Sequence, residues 1–79
     1  MTIRSFKYLY RHDEYGIIET SIYDEDIEVS VGNYMRINSR IGLHYFRVTK
    51  VIKLVDEHEQ TIVFIVYLDI IDDVSSIIE

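Results

Sequence analysis

Three histidines, His12, His44 and His58, are the most versatile chemical groups in this sequence. None of them has a second histidine or a cysteine at the spacing of a metal site, and the chain contains no cysteine. His12 precedes Asp13 and Glu14, a trio that could exchange protons, although three adjacent polar residues are more typical of a turn. The sequence has no phosphate-binding loop, nucleophile elbow or dinucleotide fingerprint. We therefore expect a non-catalytic protein without a metal ion or a cofactor.

The basic side chains are concentrated in the middle of the chain. No acidic residue lies between Glu28 and Asp56, and that stretch holds three arginines and two lysines. Arginine suits phosphate recognition, and a neighbouring aromatic ring could stack on a base. The candidate ligand site comprises Arg36, Arg40, Arg47, Tyr34 and Tyr45.

Acidic residues flank this basic middle on both sides. No Lys or Arg lies between Arg11 and Arg36, and none follows Lys53. If the acidic segments fold side by side, they form a face for a basic protein partner. That acidic face would comprise Asp13, Glu14, Asp24, Glu25, Asp26, Asp56, Glu57 and Glu59. The formal net charge of -6 disfavours bulk nucleic-acid binding. The alternative is that neighbouring strands neutralise one another and the acidic blocks are solvated.

Short stretches with strand character, separated by polar breaks, predict a β protein. The composition agrees, because Ile and Tyr are abundant and both favour strands. The predicted strands cover roughly residues 3–11, 15–23, 43–55 and 61–70, and residues 27–37 contain a tight turn at Gly32-Asn33. Residues 72–79 could form one helical turn or a frayed end. The length indicates one domain, residues 1–79.

The last two predicted strands form a hairpin whose register follows from its own pattern. With the turn centred on His58, one face pairs apolar residues almost throughout. Those pairs are Leu54 with Ile62, Ile52 with Phe64, Val48 with Leu68 and Phe46 with Ile70. Lys50 opposite Val66 interrupts the face, which indicates either a rim position or a β-bulge that shifts the register.

The second face of this hairpin is too apolar to be left in water. It carries Val51, Val63, Ile65 and Tyr67. The first strand and the tail could cover it and close a barrel. A second copy of the protein could cover it instead, because a chain without disulfides gains stability from association. We expect a homo-oligomer, in the simplest case a dimer.

The segment Val31 to Ile37, VGNYMRI, resembles the V-G-D-x-[IV]-x-[IV] segment of small SH3-like barrels, with Asn33 in the place of the usual Asp. The resemblance implies a strand entered from a sharp turn. Together with the strand pattern, it leads us to expect an all-β fold. The expected architecture is a roughly five-stranded antiparallel sheet or SH3-like barrel, with a short C-terminal helical turn as an option.

Three functions fit these features. In its general character the chain is similar to small acidic inhibitors encoded by phages and other mobile elements, which implies docking on a host protein through carboxylates. The alternative is a homo-oligomer that binds a small phosphorylated ligand between subunits. The third is a structural or assembly module. The first residues have no apolar signal segment, and the most apolar run is too short to span a bilayer and contains Asp69. We therefore expect no membrane contact and a cytoplasmic location, which is the host cytoplasm if a phage encodes the chain.

Overall fold

A computed structural model describes residues 2–71, which form one strongly curled β-sheet, a half-barrel. Its five strands are β1 (Ser5–His12), β2 (Gly16–Tyr23), β3 (Tyr34–Ser39), β4 (Gly42–Asp56) and β5 (Thr61–Ile71). Their order across the sheet is β2-β1-β5-β4-β3. The prediction of an all-β fold with about five strands is confirmed. The predicted helical turn lies outside the described residues, and the SH3-like resemblance stays a prediction.

The sheet is mixed rather than antiparallel throughout as expected, because β1 and β5 pair in parallel while the other three strand pairs are antiparallel. Each connection along the chain reverses its direction, so the odd-numbered strands all run the same way. Two odd-numbered strands meet at the centre of the sheet, and their pairing is therefore parallel. The turns after β1 and β3 lie at one end of the sheet, the upper end. The β4–β5 turn and the exit of β2 lie at the other, the lower end.

The hydrophobic core lies on the concave side of the sheet. Its buried side chains are Tyr8, Tyr10, Ile18, Phe46, Val48, Phe64, Val66 and Leu68. The Tyr8 and Phe64 rings stack with their centroids 4.8 Å apart. Residues 24–33, which connect one edge strand to the other, cross this side and add Val29 to the core. Hydrogen bonds from Gly32 N to Val48 O and from Val48 N to Asn33 O attach the end of this connection to β4.

The register of the β4–β5 hairpin is confirmed in its upper half, where Phe46 pairs with Ile70 and Val48 with Leu68. A bulge between Val48 and Lys50 then shifts the pairing by one residue, so that Ile52 faces Ile65 rather than Phe64. The cause lies in the turn. A turn centred on His58 would have an odd number of residues, whereas the observed turn spans residues 57–60 and sets Asp56 opposite Thr61. The bulge predicted as one explanation for Lys50 absorbs the difference.

Residues 27–33 form no strand, since β3 begins only at Tyr34. The predicted turn near Gly32 is present. Asn33 N donates to Ser30 O, Ser30 N donates to Asn33 Oδ1, and Gly32 has a φ of 92°. A side chain at Gly32 would meet no neighbour, so the positive φ is the reason for glycine here.

Candidate binding surface

The convex side of the sheet has no covering element among residues 2–71. The core side chains and the partly buried ones packed on them belong to the concave side. Strand alternation sends their neighbours to the opposite side, which we call the open face. On β1 and β5 the open face consists of the odd-numbered residues, starting with the pair Ser5 and Thr61.

The upper part of the open face is a basic–aromatic cluster built from four strands. Its members are Arg11, Tyr34, Arg36, Tyr45, Arg47, Lys50 and Tyr67. In its first row, Tyr67 lies between Arg11 on β1 and Lys50 on β4. The Arg11 guanidinium carbon is 5.7 Å and Lys50 Nζ is 5.5 Å from the centroid of the Tyr67 ring. Two cations therefore share one ring, an arrangement that the ring quadrupole stabilises.

Two further rows of the cluster follow toward the upper end. Arg47 lies opposite Tyr34 on one side and opposite Asp69 on the other. Tyr45 lies opposite Arg36, whose guanidinium carbon is 5.8 Å from the Tyr45 ring centroid. The Tyr34 side chain is 50% exposed. Rings and cations thus alternate across adjacent strands, and all four cations are accessible to solvent.

The lower part of the open face is an apolar patch with one cation inside it, Lys7, which lies between Ile22 and Val63. The apolar members are Leu9, Ile22, Ile52, Leu54, Val63 and Ile65. Ile22 is 66% exposed and Leu54 is 50% exposed. Of the four residues expected to mediate self-association, Val63 and Ile65 lie in this patch and Tyr67 lies beside it in the cluster.

Val51 is not part of the open face, contrary to its predicted placement. The bulge after Val48 sets it opposite the buried Val66, and it packs against the core. The same shift brings Ile52 and Leu54 onto the open face in its place. The sequence pattern favoured an unbroken register, and one inserted residue is enough to exchange the two faces of a strand.

The acidic residues do not gather on one surface. Asp24, Glu25 and Asp26 follow β2 at the lower end, where the β4–β5 turn brings Glu57 and Glu59. Asp13 and Glu14 lie in the β1–β2 turn at the upper end. The eight residues of β1 separate the two ends by roughly 23 Å at the usual rise per residue. The structure therefore places two of the three predicted acidic groups at the same end of the sheet. The third, Asp13 and Glu14, lies at the other end, because the β1–β2 turn is at the opposite end of β1.

Asp26 holds the connection between β2 and β3 against the core. Its Oδ1 accepts hydrogen bonds from Glu28 N at 2.7 Å and from the Tyr8 hydroxyl at 2.8 Å. The Tyr8 hydroxyl oxygen in turn accepts a bond from Ile27 N at 3.0 Å. These donors, the Glu28 amide first and the Tyr8 hydroxyl second, hold the pKa of the Asp26 carboxyl below its ordinary value. Asp26 therefore has a structural role in addition to any contact with a partner.

Burial makes the core tyrosines sensitive to alkaline pH. It raises the pKa of Tyr8 to about 12 and the pKa of Tyr10 to about 12, against an ordinary value of 10.0. Their contribution to stability is therefore complete below pH 10 and is lost as the pH rises through the folded-state pKa. We expect the melting temperature, followed by circular dichroism, to fall over this range.

The Tyr8→Phe variant separates the hydroxyl from the ring. At neutral pH it should lower the free energy of unfolding by about 1.5–3 kcal/mol, because Asp26 and Ile27 N lose their partner. Above pH 10 its melting temperature should fall less steeply than that of the wild type, since one titrating group is gone. Parallel melting curves for the two proteins between pH 10 and 12 would show that Tyr8 does not carry this effect.

Arg40 does not belong to the cluster, although the sequence grouped it with Arg36 and Arg47. It lies in the β3–β4 turn, where its Nε donates to Ile17 O at 3.1 Å and its Nη2 donates to Tyr15 O. These bonds tie the β3–β4 turn to β2, the opposite edge strand. Arg40 therefore draws together the two edges of the half-barrel at the upper end.

Two of the three histidines, His12 and His44, make local hydrogen bonds in the structure. His12 Nδ1 accepts from Glu14 N at 3.1 Å, and His44 Nε2 donates to Ile41 O at 3.0 Å. Over residues 2–71 no three His, Cys, Asp or Glu side chains are grouped as a metal site requires. In the same part of the chain, no helix is long and apolar enough to cross a membrane.

Arg11 and Lys50 are the cluster members that the sequence analysis did not select. Arg11 reaches Tyr67 through a parallel pairing between strands far apart in sequence, which no local pattern reveals. Lys50 reaches the open face because of the bulge. The sequence did carry a signal for this, since Lys50 interrupts an otherwise apolar hairpin face. Tyr34, Arg36, Tyr45 and Arg47 were selected, and the antiparallel β3–β4 pairing brings them together. The seventh member, Tyr67, was selected only as a self-association residue.

Comparison with known proteins adds no further assignment. No protein-family model matches this sequence, and no curated protein and no solved structure is significantly similar to it.

Proposed function

We propose that this protein is a non-catalytic binding protein that holds an anionic, phosphate-bearing ligand on the basic–aromatic cluster. The observation that carries the proposal is the meeting of four accessible cations and three tyrosines on one sheet face that nothing among residues 2–71 covers. Guanidinium groups hydrogen-bond phosphate oxygens in a bidentate manner, and such a face leaves room for the ligand.

The net charge of -6 does not prevent such binding, because most acidic residues lie away from the cluster. The acid within it is Asp69, which lies opposite Arg47 and offsets one of its four positive charges. Along β4, Arg47 and Asp56 are about 30 Å apart at the usual rise per residue. This distance is several times the Debye length, which is about 8 Å at physiological ionic strength. An anion on the cluster is therefore largely screened from the acidic residues of the lower end. Asp13 and Glu14 lie beside β2, so the ligand should occupy β5, β4 and β3.

A pair of lysine substitutions on one strand tests the proposal. Lys50 and Lys53 are both exposed residues of β4, but Lys50 faces Tyr67 on the open face and Lys53 lies opposite the core residue Phe64. In calorimetric titrations with inorganic polyphosphate, Lys50→Gln should weaken binding by about three- to tenfold, because one phosphate contact is lost. Lys53→Gln makes the same change in charge and should leave the affinity unchanged. Failure of the wild-type protein to bind polyphosphate at low salt would refute the proposal.

The second candidate is the predicted inhibitor of phage type, which docks on a basic partner protein through carboxylates. The observation in its favour is that Asp24 and Glu25 share the lower end with the acidic β4–β5 turn. Reversal of Asp24 and Glu25 to lysine would abolish that docking and would leave polyphosphate binding intact. The two candidates use opposite ends of the molecule, so one set of variants distinguishes them.

We also propose that the apolar patch mediates self-association, and a dimer is the simplest form. Exposed Ile22 and Leu54 extend the patch formed by Leu9, Val63 and Ile65, and their burial against a second copy removes apolar surface from water. The absence of cysteine suits a reducing compartment, and we propose a cytoplasmic location.

A further inference from the structure

We infer that the ligand of the basic–aromatic cluster is a single-stranded nucleic acid, which lies across β5, β4 and β3 with its bases stacked on Tyr67, Tyr45 and Tyr34. The inference rests on the proposed function, and it adds the chemical class of the ligand. Phosphate recognition needs only cations. In the free protein the rings hold those cations through cation–π contacts, and base stacking would give the same rings a second role in the complex.

The spacing of the tyrosines suits successive contacts along a flexible strand. Tyr45 and Tyr34 lie on adjacent strands one row apart, which corresponds to about 8 Å from the usual spacing of strands and residues. Tyr67 lies two rows from Tyr45 on the next strand, or about 14 Å. Cations lie between the rings, since Arg47 separates Tyr45 from the row of Tyr67 and Lys50. A chain of alternating bases and phosphates matches this alternation of rings and cations.

A double helix fits the same surface less well. Its bases are stacked on one another, so they cannot reach rings on the face of a sheet. Duplex binding also relies on a broad basic footprint along the backbone, whereas here the cations are confined to three rows of one face and the molecule is acidic as a whole. Single-strand recognition combines a local basic track with aromatic stacking, which is the combination present in the cluster.

The wild-type protein alone provides the first test. Fluorescence anisotropy with a labelled short oligothymidylate should report binding at least about tenfold tighter than that of inorganic polyphosphate with the same number of phosphates, because only the oligonucleotide can stack. The duplex of the same length should bind more weakly than the single strand. Polyglutamate of matched charge should compete poorly.

Two double variants identify the rings responsible. Tyr45→Leu with Tyr67→Leu should lower oligothymidylate affinity by about tenfold or more and change polyphosphate affinity little. Tyr45→Phe with Tyr67→Phe keeps the rings and should retain most of the affinity. It also serves as the folded reference, since it removes only hydroxyl groups. Circular dichroism of both variants checks that the sheet is intact.

The outcomes separate this inference from the proposed function. Equal affinity for oligothymidylate and polyphosphate would overturn base recognition and leave an anion site in place. So would tight binding that the leucine variant retains. Tighter binding of the duplex, or of polyglutamate, would replace the single strand with a different ligand class. No binding of either phosphate polymer would refute both the inference and the proposed function.

Discussion

Replacement of Phe64 with alanine is expected to lower the free energy of unfolding by about 3–5 kcal/mol, the usual cost of emptying a buried phenylalanine site. Phe64 is 8% exposed, and its ring stacks on that of Tyr8 at the centre of the core. A chain of 79 residues has a total stability of about 4–12 kcal/mol. The substitution therefore removes a large part of it, which thermal or urea denaturation would measure.

Tyr67→Ala is the matched control for this experiment. It removes an aromatic ring from the same strand, but from the open face, where nothing among the described residues packs over it. Its cost should be clearly smaller, about 1–2 kcal/mol, because the ring is partly exposed and its cation–π contacts are weak. Equal destabilisation by the two substitutions would mean that the face assignment of β5 is wrong.

The largest effect on binding is expected from removal of three cations together. The variant with Arg36→Gln, Arg47→Gln and Lys50→Gln should lose about 100-fold or more in affinity for oligothymidylate at low salt. The dependence of the affinity on salt should also become shallower, by about two in the slope of log K against log salt. Anisotropy titrations at several salt concentrations measure both quantities.

A second triple variant controls for net charge. Lys7 and Lys53 lie in the lower half of the sheet and Arg4 directly precedes β1, all outside the cluster. Their change to glutamine removes the same number of positive charges. If the cluster binds the ligand, this variant should keep nearly all of the affinity. Similar losses for the two triple variants would indicate a general electrostatic effect rather than a site.

The alternation of apolar and polar residues was sufficient to predict most of the fold. It indicated an all-β domain and located the long hairpin, with the correct register from Phe46 to Val48. It could not reveal the order of the strands, because the central pairing of β1 with β5 joins distant parts of the chain. The sequence also did not establish the bulge, which was one of two explanations for the position of Lys50. The position of the bulge depends on the length of the turn after Asp56, and the residues of that turn allow more than one length.

The candidate site was predictable where its residues share one hairpin. The β3–β4 hairpin brings together Tyr34, Arg36, Tyr45 and Arg47, and these were selected from their charge and proximity in sequence. Arg40 has the same charge, but it lies in the turn and donates to the carbonyl groups of Tyr15, just before β2, and of Ile17 in β2. The three acidic groups looked continuous in the sequence, yet they are divided between the two ends of the sheet. Whether charged segments of a sequence form one surface depends on where the strand topology places them.

Chemical-shift mapping is the most direct test of the claim that the open face binds an anionic ligand. In a titration of ¹⁵N-labelled protein with oligothymidylate, the amide signals of the cluster should shift together, with those of Tyr67, Lys50 and Arg47 among the largest. The signals of residues 24–29, on the concave side, should remain in place. The account would be contradicted if the largest shifts appeared on the concave side or at the acidic lower end, or if no signal moved at low salt.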